Sequence, residues 1–504
     1  MKKLNTIILI LAAISLGSCK KYLDKPNKIQ TDIETVDQLR ALLDNVIGEE
    51  GDTYSFNPPV AFGYEGHNAT ATYSTDDTEI STDFYKANPN AVLLANLYYY
   101  VFDVDNIVGA STDPLWNNEF RKIFNANVVL ANIDNVRGDE VIRKQVKADA
   151  YFIRAYSYWT LVNYYCLPYS EANLQSKGLP LKRTTDYAES LQRANLRDTY
   201  SFILEDIRQA QSLVNYQDVP ATFRWRVSKP AIDAFLSRYY LFTGEYAKSV
   251  DHSNSALISQ TAKLVDFNTI PPGNSANYSN PSAILRYSAL NDYGPTTYFA
   301  WDEFFYTRFT TATSQWFIPS TSLLALYDRN EDLRYRLLMI ENGGRRANVI
   351  TPAQYRYTYF DDGSYLPAGP TVAEVLLNKA EALARKGDVA DALNAANTLR
   401  AKRLKTYTAL TAGSAEEALT QVLRERRREL PFSFRWFDIR RFSVNETPGD
   451  DVTITRTFFK VGTGSVDLNT VQTYTLPVKS LRYAIPINGV EISAGRGQIE
   501  QNNY

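Results

Sequence analysis

The apolar pattern of this chain opens with one compact block and then becomes helical. Ile7 to Leu16 is an almost unbroken apolar run behind Lys2 and Lys3. It is too short for a permanent membrane span, and the cationic head marks it as a signal segment. Amphipathic spacing predicts short helices at Val36–Val46 and Leu93–Phe102. Between them, Gly48 to Asn90 is rich in Gly, Pro, Thr and Tyr and lacks periodicity. It is expected to form long loops, and long ordered loops in compact domains are commonly functional.

From Asp113 the helical period dominates. Asp139 stands as an N-cap before Ile142, Val146, Ala150, Ile153, Ser157 and Leu161, which recur at steps of three and four; Pro168 ends the run. Further helices are expected over Ala194–Val214 and from Ser228-Lys-Pro230 to Phe242. Two places show helix, tight turn, helix. In the first, Ala231–Phe242 and Ala247–Leu257 flank Gly244-Glu-Tyr246. The second opens with a capping box, Thr371-x-x-Glu374, and presents Val372, Leu376, Ala380 and Leu383 on one face. It turns at Gly387-Asp388 and continues with Val389, Leu393, Ala396 and Leu399. Ala380, Ala384, Ala392 and Ala396 let the paired helices approach closely, the logic of tetratricopeptide-type pairs. Ser414-x-x-Glu417 caps a further helix through Leu430. Phe267 to Pro370 loses this regularity, and the tail from Asp450 holds short β-like runs such as Val452–Phe459 with no convincing helix. The fold class is therefore mainly α: a helical-repeat scaffold with long irregular insertions and a few short strands.

Composition narrows the function. The chain has 504 residues, 44% hydrophobic and 22% charged, enough for a large core. A net charge of −2 provides no field for nucleic acid, so no nucleic-acid partner is expected. There are 2 cysteines and 2 histidines, too few for a disulfide framework or a zinc cluster. His67 reads as a loop residue and His252 lies on a predicted helix; neither belongs to a catalytic motif. No cofactor is indicated. Asp76, Asp77 and Glu79 carry calcium-type oxygens but lack EF-hand spacing, and no metal is assigned. The adjacent pairs Asp76-Asp77 and Asp361-Asp362 do not establish the cross-cleft geometry of a glycosidase. The 35 Tyr, 24 Phe and 6 Trp suit a protein that stacks rings against a ligand, although many must be core.

Leu16-Gly17-Ser18-Cys19 places small residues before a cysteine, the pattern that lipoprotein signal peptidase reads. Residues 1–18 are expected to be removed and Cys19 to be lipidated.

Ordered segments then resemble the SusD/RagB family of surface lipoproteins. Cys19-Lys-Lys-Tyr-Leu-Asp24-Lys-Pro26 is similar to the family's opening, and Ala148 to Val162 to its long helix. Gly244-Glu-Tyr-Ala247, Glu374 to Asp388 and Asn397-Thr-Leu-Arg400 resemble its helical repeats. Glu425-Arg-Arg-Arg-Glu429-Leu430 and Arg435-Trp436-Phe-Asp438-Ile-Arg440-Arg441 match its two charged signatures. Tyr483-Ala-Ile-Pro486-Ile-Asn488 and Gln501-Asn502-Asn503-Tyr504 resemble its closing segments. One departure is Phe432-Ser433-Phe434, where the family usually has Phe-Glu-Gly, which puts one partner of the local charge network in doubt.

The resemblance implies an N-terminal region at 19–225 and a C-terminal region at 226–504, merged into one body. It also implies a non-catalytic nutrient-binding protein on the outer membrane, tied by lipid and facing outward. The implied partner is a SusC-like TonB-dependent transporter, and the ligand an oligosaccharide, with peptide as the alternative. A surface glycosidase and a scaffold without a small ligand are the rivals from other classes. The charged signatures read more simply as an arginine–carboxylate network than as acid/base machinery, because arginine holds a carboxylate ionised. For the ligand surface, two aromatic insertions, Tyr54–Tyr85 and Tyr278–Trp316, supply candidates. Tyr64, Tyr73 and Tyr85 come from the first and Tyr293, Trp301 and Trp316 from the second, with Asn68, Asp77 and Asn291 as polar contacts.

Cys19→Ala is expected to leave the chain unlipidated and released from the membrane fraction. Palmitate labelling checks this, and label retained on the variant would refute the lipobox.

Overall fold

The computed structural model describes residues 33–44, 69–109, 114–271, 290, 297, 299–311, 317–340, 354–360 and 365–504. The signal segment, Cys19 and His67 lie outside these residues, as do Asp361 and Asp362.

Paired helices make the scaffold. The long helix Glu140–Tyr165 starts at Asp139, whose side chain accepts from the N–H groups of Val141 and Ile142. It packs against Pro114–Asn132 on one side and Leu196–Leu213 on the other. Lys229–Phe242 follows, capped by Ser228 with Pro230 in its first turn, and pairs with Tyr246–Ala256 across Gly244. Val372–Lys386 pairs with Val389–Arg400 and also touches Tyr246–Ala256 and Ala415–Glu429. Gly387 sits at φ +89° and its N–H donates to the Ala384 carbonyl. A side chain there would be strained, which is why glycine ends this helix. Ala380, Ala384, Ala392 and Ala396 are all buried at the close helix contact.

The capping box differs from expectation. Thr371 accepts from the Glu374 N–H at 3.1 Å, but the Glu374 carboxylate turns inward to Arg238. Both its oxygens take guanidinium hydrogens at 2.6 Å, and both residues are buried. An ion pair joining two helices replaces the local half of the cap.

The expected loop before Asn90 contains a short helix, Thr82–Ala87, within its described part. The irregular middle holds small antiparallel pairs: Phe309–Thr311 with Tyr365–Pro367, and Met339–Ile340 with Arg356–Tyr357. In the tail, Ile454–Gly462 and Ser465–Leu476 form a hairpin, and the short helix Gly489–Ala494 follows. The β-like run was legible; its partner strand, polar and exposed along most of its length, was not.

Tyrosine is abundant mainly because the core uses it. The hydroxyls of Tyr156 and Tyr158 donate to the carbonyls of Ala368 and Pro180 at 3.0 Å, and Tyr239 reaches Tyr200 at 3.2 Å. Each ring fills apolar space while its hydroxyl satisfies a buried acceptor. His252 is likewise structural, stacked on Tyr240 with Nδ1 2.7 Å from Asp233.

Arg238→Ala should destabilise the fold by about 3–5 kcal/mol, because Glu374 would be left buried without its guanidinium. Urea unfolding measures this. Replacing both residues by leucine should recover most of the loss.

Candidate functional site

Two segments far apart in sequence are stitched together to make a cleft. Thr78 and Pro319 form an antiparallel bridge, and the Glu79 N–H donates to the Ile318 carbonyl at 3.2 Å. The Ser320 N–H donates to the Asp77 carbonyl at 2.7 Å, and its hydroxyl to the Asp76 carbonyl at 2.7 Å. Ser320 caps the short helix Thr321–Leu324, and Glu79 Oε2 accepts from the Thr321 N–H at 2.7 Å.

The charged signatures hold this stitch from below. Arg427 Nε donates to Asp77 Oδ1 at 2.7 Å, and its terminal nitrogen reaches the Asp76 carbonyl at 2.9 Å and the Ser322 hydroxyl at 3.0 Å. Arg435 grips both oxygens of Asp76 at 2.7 Å. Arg428 donates to the Leu326 carbonyl at 2.6 Å, and the Tyr327 hydroxyl donates to the Arg428 carbonyl at 2.7 Å. Burial alone would raise the Asp76 carboxyl, but Arg435 and Arg427 overcome it and hold the group at about 2. Glu425 behaves alike: burial opposes ionisation, and Arg334, Arg428 and Arg400 hold it at about 2. Such carboxylates are fixed as anions, which is a structural role and not that of a general acid.

The cleft enclosed has a volume of about 410 Å³. Tyr327 and Tyr355 contribute its rings, with Glu79, Ser81, Arg329 and Gln354 as polar walls. Tyr355 is half-buried, and its hydroxyl lies 3.0 Å from that of Tyr335. Arg329 is exposed, with its guanidinium 5.8 Å from the Tyr335 ring centre. Aromatic surface beside a carboxylate, an amide, a hydroxyl and a guanidinium suits a ligand with both CH faces and hydroxyl edges.

Residues 21–241 match the family model described as "Starch-binding associating with outer membrane", and residues 372–504 match the model of the SusD family. Together these two stretches span well over half of the chain. The chain belongs to the SusD family. SusD-like protein P2 of Formosa agariphila is 24% identical over 399 residues, which is 66% of this chain and 72% of that protein. A SusD superfamily protein from Bacteroides thetaiotaomicron superposes with a TM-score of 0.64 at 18% identity, covering 93% of this chain and all of that one (100%). A laminarin-binding SusD-like protein gives 0.61 at 16% identity, covering 93% and 99%. A SusD-like carbohydrate-binding protein from Bacteroides vulgatus gives 0.60 at 18%, covering 92% and 97%. At these identities the solved structures establish the helical SusD fold.

Several residues expected at the ligand surface of this SusD-family protein are interior instead. Tyr73 is 1% exposed, Tyr85 6%, Trp301 6% and Asp77 0%. Tyr85 packs on Phe458 and Phe459 of the hairpin, and Trp301 meets Phe360 edge-on at 5.5 Å. These rings have no free face for stacking, so they are corrected to core. Asp77 is corrected to a support: it accepts from Arg427 and, at 3.0 Å, from the Phe432 N–H. Calcium is displaced from Asp76, Asp77 and Glu79 by the same bonds, since two arginines and a helix N–H take their oxygens. Among the described residues no cluster of three or more His, Cys, Asp or Glu could hold a metal ion. Tyr64, Asn68, Asn291, Tyr293 and Trp316 lie outside the described residues.

Tyr327, Arg329, Gln354 and Tyr355 were missed. A signal existed for one of them: Tyr355, Tyr357 and Tyr359 alternate with period two, which marks one face of a short strand. The two inner tyrosines are buried and the first reaches the cleft.

The sign of the acid response follows from Asp76. Its pKa is lower folded than its ordinary 3.8, so its contribution to stability is complete above that value and is lost as pH falls toward 2. Urea unfolding between about pH 6 and pH 2 should show wild type losing roughly 2 kcal/mol more than Asp76→Asn over this range. Parallel curves would refute the assignment.

Proposed function

We propose that this SusD-family protein captures an oligosaccharide at the cell surface for a SusC-like TonB-dependent transporter, without cleaving it. The observation that carries the reading is the cleft between Glu79 and Tyr355, which pairs ring surface with hydroxyl-binding groups. The names of the laminarin-binding and carbohydrate-binding relatives support a glycan. Glu79 is the one carboxylate lining the cleft among the described residues, whereas glycosidase chemistry uses two across the bond.

In this reading a sugar ring lays its CH face on Tyr355, while Arg329, Gln354 and Ser81 exchange hydrogen bonds with its hydroxyls. Tyr64, Asn68, Asn291, Tyr293 and Trp316 are the further contacts proposed from the sequence. Acyl chains on Cys19 hold the body at the outer membrane, in keeping with the absence, among the described residues, of a helix long and apolar enough to cross a bilayer. Closure of the helical body over the transporter would then trap ligand between the two proteins.

Calorimetry of the chain from Lys20 onward against plant, microbial and host oligosaccharides tests the reading. Heat with one glycan class, weakened about tenfold by Tyr355→Ala, is the expected result. Silence with every glycan and heat with a peptide mixture would move the protein to peptide capture.

A further inference from the structure

A second cleft lies elsewhere on the scaffold and shares no lining residue with the first. Its feature is Tyr187, 88% exposed at the tip of a loop that is otherwise tightly organised. Glu189 accepts from the N–H groups of Arg183 at 2.9 Å and Thr184 at 3.2 Å, and from the Thr184 hydroxyl at 3.0 Å. Lys182 Nζ donates to the Glu189 carbonyl at 2.7 Å, and Asp186 accepts from the Ala188 N–H at 2.8 Å. Asn127 anchors the loop from the scaffold, donating to the carbonyls of Lys182 and Thr184 at 3.2 and 2.9 Å. Asn127 is itself held by Arg154 at 2.7 Å, whose guanidinium is locked onto Asp206.

A loop fixed at so many points could have folded its tyrosine inward, yet the ring stays in water. Folding gains little from a ring so placed, which leaves it available to a ligand. Beneath it is a cavity of about 280 Å³ walled by Trp116, Phe120 and Phe124. The Tyr187 and Phe124 rings lie 5.8 Å apart, tilted by 30°. The lining also holds a polar pair. Asn117 Nδ2 donates to Glu491 Oε1 at 2.8 Å, and the other Glu491 oxygen takes no hydrogen bond among the described residues. Burial raises the Glu491 carboxyl above its ordinary value in spite of the Asn117 bond.

A wholly apolar guest would leave the second Glu491 oxygen without a partner. A saturated ring bearing hydroxyls matches both sides. We propose that this cleft is a second carbohydrate site, which stacks one pyranose unit on Tyr187 and Phe124 and hydrogen-bonds it through Glu491 and Asn117. The proposal rests on the glycan-binding reading above but on separate residues. A site for a single ring elsewhere on the same molecule would add a second grip on a branched or extended glycan, raising avidity without new contacts in the first.

Saturation-transfer NMR on the full chain, in a detergent without a sugar headgroup, tests it. The probe is a mixture of the methyl glycosides of glucose, galactose, mannose, xylose, fucose and glucuronic acid. The expected result is transfer to the ring protons of at least one glycoside, with affinity lowered about tenfold by Tyr187→Ala, kept by Tyr187→Phe and unaffected by Tyr355→Ala. Transfer that persists in Tyr187→Ala but is lost in Tyr355→Ala overturns the second site and leaves the first standing. Transfer lost only in Tyr187→Ala, with no oligosaccharide heat sensitive to Tyr355→Ala, does the reverse. No transfer to any glycoside, or transfer only to an added aromatic peptide, overturns the proposal.

Discussion

The pairing of buried arginine with buried carboxylate organises this molecule. The helix Ala415–Glu429 ends in six consecutive charged side chains, and the last five tie it to other elements. Glu425 receives Arg400 and Arg334, Arg426 binds Asp438 and Asn378, and Arg427 holds Asp76 and Asp77. Arg428 supports the turn at Leu326, and Glu429 joins Arg403 and Arg334. Taking these charges out of water is costly, and only near-complete pairing offsets that cost. The helix is therefore tolerable in one place only, and that place brings the repeats, the middle insertion and the first insertion together.

Arg440 and Arg456 show the same logic with different partners. Arg440 donates to the carbonyls of Tyr483, Asn163 and Cys166, and Arg456 to those of Tyr73, Tyr100 and Thr75. Among the described residues neither is matched by a carboxylate; burial lowers both pKa values to about 10, so both remain cations at neutral pH. A guanidinium can gather three peptide carbonyls from different segments, which no lysine could do with the same planar geometry. These two residues fasten the tail and the hairpin onto the helices.

The repeats were legible because each local signal agreed with the tertiary outcome: Asp139 and Ser228 at caps, Gly387 at a left-handed turn, alanines at close contacts. Where a residue served a distant partner, local reading failed. Glu374 sits in a perfect capping-box position and serves Arg238 instead. Tyr73, Tyr85 and Trp301 lie in stretches without periodicity, where composition reports aromatic content but not which way a ring faces. Burial of a loop ring depends on what a remote segment lays over it. The Tyr85 ring is covered by Phe458, about three-quarters of the chain length away, and no window of neighbouring residues contains that information. Phe432, just before the departure at Ser433-Phe434, shows the converse. Its backbone takes φ +63° so that its N–H can reach Asp77, and the ring is buried against Phe317 and Tyr357. An unusual backbone at a non-glycine residue is retained because it closes the support of the cleft.

The stitch between Asp77 and Ser320, with Arg427 beneath it, has a kinetic meaning as well as a geometric one. Arg427 and Asp77 are 350 residues apart, and Ser320 is 244 residues from Asp76. Contacts of such separation form late, after the local helix pairs have condensed. The cleft at Glu79 thus exists only in chains that have finished folding. A partially folded molecule would carry a sound-looking helical body without this cleft, so the cleft itself distinguishes mature molecules from immature ones.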